Sequence, residues 1–199
     1  MDKLLQYKKN SILGTIGGHP LCREYLSAWR KCGDNKLELI RLSLCQQSIP
    51  HVCTFAYEGK GLTKEYIKEN FGEYINGYTV YDADDVKDFK YGLYVDYDFA
   101  NALFADKNVC SLMWCKDTNV VIPMSLCPVL YVSNKSNVYI TGEGFNAIRV
   151  YLFDESVVNL DDFDEESSIL VYKYSKDARV EIGKYCLGKV KIFDKELKI

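Results

Sequence analysis

The sequence predicts an α+β protein, with a small helical N-terminal region followed by a C-terminal β-solenoid, a parallel β-helix-like stack. Three observations carry this. β-branched doublets recur through the tail at almost constant spacing. Apolar residues in the first third recur instead at three- and four-residue steps. Tyrosine is over-used, at sixteen of 199 residues, which suits half-buried strands and binding surfaces.

Residues 1–77 read as helical. In "PLCREYLSAWRKCGD", Cys22, Tyr25, Leu26, Trp29 and Cys32 fall on one helix face, and Gly33 ends that helix. Asn35 with Glu38 forms a capping box ahead of "LELIRLSLC". Pro50 suits the first turn of another short helix, with Gly59 at its end. Thr63 caps "KEYIKENFGEYI", and Asn76-Gly77 marks a turn. Three or four packed helices are expected between Leu21 and Asn76. Residues 78–108 mix Tyr/Val strands with Asp-rich turns and read as a mixed β connector with at most one short helix.

Residues 109–199 form the repeat region. The doublets Val138–Ile140, Ile148–Val150, Val158–Leu160, Ile169–Val171, Val180–Ile182 and Val190–Ile192 begin 10, 10, 11, 11 and 10 positions apart. Weaker copies begin at Val109, Val120 and Leu130. Strand residues two apart point to the same side, so each unit offers an apolar pair that it cannot bury alone. Stacked units bury one another's pairs in a continuous column, with two or three units per coil. The alternative is an antiparallel β-meander or sandwich, in which tight turns join neighbouring strands. Against it, residues 138–192 contain no Asn-Gly or Asp-Gly.

In four consecutive units an aromatic stands five positions after the start: Phe153, Phe163, Tyr174 and Tyr185. These units resemble, over residues 138–195, the degenerate short-repeat β-solenoids of bacterial and bacteriophage proteins. Ile, Val and Leu replace the small residue often found there, and Gly-Asn turns are mostly absent. The resemblance implies a phage or mobile-element origin. The N-terminal part resembles no recognised family.

No motif specifies a reaction. "GTIGGHP" (14–20) lacks the spacing of a dinucleotide fingerprint, and "EGKGLT" (58–63) lacks the upstream Gly and the Lys-Ser/Thr pair of a phosphate loop. Asp82, Asp84, Asp85 and Asp88 read as a solvated turn, because Lys87 and Leu93 stand where a calcium loop needs Gly and Glu. His19 with Cys22, His51 with Cys53, and Cys110 with Cys115 lack the spacing of a zinc site. His51 and Cys53 would point apart on a helix. No catalytic residue, cofactor or metal is therefore assigned.

Residues 1–80 carry 11 Lys+Arg against 8 Asp+Glu, a balance of +3; residues 81–199 carry 14 against 20, a balance of −6. Neither half has the dense basic stripe of a nucleic-acid binder. No apolar run reaches the roughly 18 residues of a membrane span or forms a signal peptide. A cytoplasmic location with eight reduced cysteines is the expectation. The expected role is a non-enzymatic interaction or structural protein that binds a protein partner or a second copy. A carbohydrate-binding or -processing β-helix is the alternative, with Asp154, Asp164, Phe153, Phe163, Tyr174 and Tyr185 as the candidate face. The third reading is nucleic-acid binding through Arg23, Arg30, Lys31, Lys36 and Arg41, should they converge on one face.

Overall fold

The computed structural model describes residues 23–35, 38–39, 42, 63–75, 80–81, 90–97, 103–105 and 107–195. Helix α1 spans Arg23–Lys31 and buries Trp29 completely. Gly33 ends it in the left-handed region, at φ 57°, a conformation that costs a residue without a Cβ nothing. Asn35 then accepts from the Glu38 N–H at 3.2 Å, as an N-cap should, ahead of helical Leu39 and Leu42, both buried. Helix α2 spans Lys64–Phe71, with Thr63 accepting from the Tyr66 N–H at 3.2 Å and Ile67 and Phe71 buried. A 3₁₀ turn over Gly72–Tyr74 follows. The helix expected after Pro50 and the Asn76-Gly77 turn lie outside the described residues.

Among the described residues twelve strands follow: β1 Val80–Tyr81, β2 Lys90–Val95, β3 Leu103–Phe104, β4 Val109–Met113, β5 Thr118–Ile122, β6 Val129–Ser133, β7 Asn137–Gly142, β8 Ala147–Leu152, β9 Val157–Leu160, β10 Ser168–Lys173, β11 Arg179–Ile182 and β12 Lys189–Asp194. They form two sheets, ordered β1-β2-β4-β6-β8-β10-β12 and β11-β9-β7-β5-β3. Every pairing is parallel except β1 with β2. This is a β-solenoid of about five turns, and it excludes the antiparallel meander. Successive strands alternate between the sheets, so the ten-residue unit is half a coil. Units two apart stack: Ile148 opposes Ile169, which opposes Val190, while Val138 opposes Val158, which opposes Val180.

The first parallel rung is β2 on β4, so strands from the segment read as a connector already belong to the stack. The weak copies at Val120 and Leu130 fall on the inner face, but the copy at Val109 is one residue out of phase. Cys110 and Leu112 enter the core, while Val109 belongs to the outer face. The reason is burial on both sides. Every residue of β4 and of β6 is buried, so alternation there carries no face signal. Helix α2 lies against β2, whose Leu93 and Val95 are buried at outer positions. From β7 to β10 the inner Val, Ile and Leu residues are buried and the outer residues more open.

The coils bend without the Gly-Asn turns common in such repeats. Asp96, Trp114, Asn134, Lys135 and Asp154 hold positive φ between 47° and 59° on the side where β2, β4, β6 and β8 end. Asp and Asn tolerate this region because their short polar side chains bond locally. Inside that edge, the Cys115 N–H donates to Ser136 Oγ at 3.0 Å and the Ser136 N–H to Ser156 Oγ at 3.1 Å. Small buried hydroxyls thus close the backbone groups that the bend removes from the sheets.

Candidate functional site

The aromatics and acids of the repeat occupy the bends, and consecutive units bend at opposite edges of the solenoid. Phe153, Asp154 and Tyr174 lie where the chain leaves β8 and β10; Phe163, Asp164 and Tyr185 lie where it leaves β9 and β11. The six residues therefore do not line one groove. Phe153 and Phe163 are buried, and Phe163 belongs to the solenoid core. Tyr174 is half-buried and stacks on Phe153 at 5.2 Å between ring centroids. Tyr185 is 60% exposed.

The two acids differ as sharply. Asp164 is exposed, and its carboxylate accepts only a local bond, from the Glu166 N–H at 3.0 Å. Asp154 is buried and ties two coils together. Its carboxylate accepts from the Asn134 N–H, from the Lys135 N–H at 3.0 Å and from the Ser156 hydroxyl at 2.6 Å. Burial raises its pKa above the ordinary carboxylate value, against the lowering effect of those hydrogen bonds. The carboxylates cannot act as a pair across one substrate, and Asp154 is committed to the bend.

Asp154 also borders a cavity of about 570 Å³, with Trp114, Lys116, Asn134, Lys135, Glu155 and the Lys64 of α2. Lys64 and Lys68 both reach Asp96, at 3.2 and 2.5 Å, and fasten α2 to the first bend. Lys135 pairs with Glu155 at 3.1 Å. Apart from Lys116, the charged side chains at this cavity are thus engaged within the chain, and they place no base beside a nucleophile. Cys115, buried nearby in sequence and structure, has its thiol pushed up to about 11 chiefly by desolvation, the opposite of an activated thiolate. The pairs His19 with Cys22 and His51 with Cys53, and Asp82, Asp84, Asp85 and Asp88, lie outside the described residues. Of the basic residues proposed for nucleic acid, Arg23, Arg30 and Lys31 are exposed on α1; Lys36 and Arg41 lie outside the described residues.

Two features escaped the ten-residue reading. The first is an outer ladder on the larger sheet. Tyr131, Tyr151, Tyr172 and Phe193 stack successively at 4.8, 5.0 and 5.1 Å, with ring planes within 21° of parallel. Burial, and then the neighbouring Tyr172, hold the Tyr151 hydroxyl above the ordinary phenol range. The signal was present at the full coil period, since these residues stand 20, 21 and 21 positions apart.

The second feature is the open last coil. The inner Val, Ile and Leu side chains of β7 to β10 are buried, yet Ile182 is 53% and Ile192 44% exposed. Leu187 and Phe193, of the same part of the chain, are also exposed. Among the described residues no strand pairs with the outer side of β11 or β12.

Comparison with protein-family models, with curated proteins and with solved structures gives no match to this chain. No helix among the described residues is long and apolar enough to cross a membrane.

Proposed function

We propose that this chain is a non-enzymatic interaction protein whose binding surface is the open end of the solenoid. One observation supports the reading above all. Ile182 and Ile192 of the last coil are 53% and 44% exposed although their register partners Leu160 and Val171 are buried, and among the described residues no strand pairs with the far edge of β11 or β12. Exposed apolar side chains at the end of a core favour a protein interface, and a free strand edge is a template for strand addition. A parallel stack is rigid, so the end is presented without an ordering cost at the moment of binding. The carbohydrate reading lacks its groove, because Asp154 is committed and the aromatics divide between two edges.

Site-directed photocrosslinking tests the proposal. A benzophenone amino acid at Leu187, in the full chain within lysate of the source cells, is expected to give a discrete adduct with one protein or with a second copy. The same probe at exposed Lys176, on an earlier bend, is expected to give none. Absence of a discrete adduct at Leu187, or equal adducts at both positions, overturns the reading.

A further inference from the structure

The β12 edge carries a pattern that restricts what can add to it. The amides of Lys189 and Lys195 donate inward, to Ser167 and Lys173 at 2.8 and 2.7 Å. In a parallel ladder such residues alternate with ones whose N–H and C=O face the other way, so Val190, Ile192 and Asp194 turn their peptide groups to the open side. Val190 and Ile192 continue the inner columns of Ile169 and Val171. Lys189, Lys191 and Phe193 continue the outer columns of Ser168, Leu170 and Tyr172. Phe193 is the last ring of the outer ladder and is 38% exposed.

Resting on the interaction reading above, we infer that β12 accepts an extended protein segment in parallel register, with acidic residues opposite Lys189 and Lys191, branched apolar residues opposite Val190 and Ile192, and an aromatic opposite Phe193. Each requirement has its own cause. The apolar residues close the core as in every earlier coil. The aromatic extends the ladder by one rung, and stacked pairs add to area burial. The acids face lysines directly across the strand pair, where opposite charges attract and like charges repel. A second copy is disfavoured, because its β12 could meet this edge in parallel only through a two-fold axis along the strand, which turns its lysine face to the inner side and continues neither the apolar columns nor the ladder. Edge lysines of this kind guard a sheet from its own copies and at the same time select an acidic partner.

Tethering makes the test independent of a short peptide's weak affinity. The full chain is extended at its C-terminus by a Gly/Ser linker of about 15 residues, whose root-mean-square span of about 20 Å reaches back along β12. The linker ends in Thr-Glu-Val-Glu-Ile-Tyr-Thr or in its Lys-for-Glu counterpart. Hydrogen exchange at Val190, Ile192 and Asp194 is expected to slow at least tenfold with the acidic strand and to stay unchanged with the basic one. K189E/K191E in the same chain is expected to reverse the preference, and high salt to weaken it. Equal protection by both strands, or protection by neither, overturns the inference. Doubling of the mass of the untethered chain in light scattering, with protection of β12, makes a second copy the occupant and overturns it too. A discrete adduct at Leu187 alongside any of these failures leaves the interaction reading standing.

Discussion

Val171 and Ile192 are register partners on adjacent parallel strands, both on the inner face, yet Val171 is fully buried while Ile192 is 44% exposed. Equivalence in the repeat therefore does not mean equivalence in energy. What differs is that, among the described residues, a further strand covers Val171 and none covers Ile192. Ile169→Ala is expected to cost about 2–5 kcal/mol, the range for a large-to-small change in a packed core. Ile192→Ala is expected to cost about 0.5 kcal/mol or less, as at a surface position. Urea unfolding of both variants checks this, and similar losses would mean that the end coil is covered.

Gly142 has no room for a side chain. A Cβ there would fall within contact distance of Asn146 Oδ1 and 2.6 Å from the Phe163 ring. Both neighbours are buried, so neither can swing into solvent. Gly142→Ala is expected to destabilise by about 1–3 kcal/mol through overpacking, measured as a lower denaturation midpoint at unchanged slope.

Asp154 joins the β8–β9 bend to the coil before it. Asp154→Ala strands the Asn134 and Lys135 amides and places alanine at φ 47°, with an expected loss of about 2–4 kcal/mol. Asp154→Asn keeps one acceptor and tolerates the bend, so it should lose less. Because the folded state raises the carboxyl pKa, the native protein holds this proton more tightly than the unfolded chain does. Its contribution is fully present below the unfolded value of about 3.8 and declines as pH rises through the higher folded value. The Asn variant should lack that decline in a pH series of urea midpoints.

Asp96 has the opposite sign. The hydrogen bond from Lys68 is the largest influence and, with Lys64, holds its carboxyl below the ordinary value of 3.8 against the effect of burial. The stability it contributes is complete above that value and lost as pH falls through the lower folded one. The pair is partly exposed, with Lys68 44% and Asp96 31% accessible, so screening limits its worth to under about 1 kcal/mol. Amide exchange in α2 should accelerate in Asp96→Asn at neutral pH and respond to salt. Unchanged α2 protection would show that the apolar contacts of Ile67 and Phe71 hold the helix alone.

The solenoid was legible in the sequence where only one strand face is buried. From Val138 onward the inner residues alternate with more open ones, and the doublets fall where the core places them. At β4 and β6 both faces are buried, alternation vanishes, and the phase at Val109 slipped by one. The caps at Asn35 and Thr63 were readable because their chemistry is local. The candidate site was less legible. A ten-residue period merges the two edges of a coil, so Phe153 and Phe163 read as one ladder although they bend at opposite sides. The Tyr131–Tyr151–Tyr172–Phe193 column emerges only at twice that period. The exposure of Ile182 and Ile192 has no sequence signal, because their residue types match those of the buried coils.

The unbroken parallel pairing from β4 to β12 makes length an editable property of this molecule. Residues 147–167 run from the start of β8 to the residue before β10. A tandem copy of them is a complete extra storey that returns the chain to the same entry point. Each storey raises the column by about 4.8 Å, the spacing of neighbouring strands. Height can thus be graduated in fixed steps while the top and bottom surfaces keep their composition.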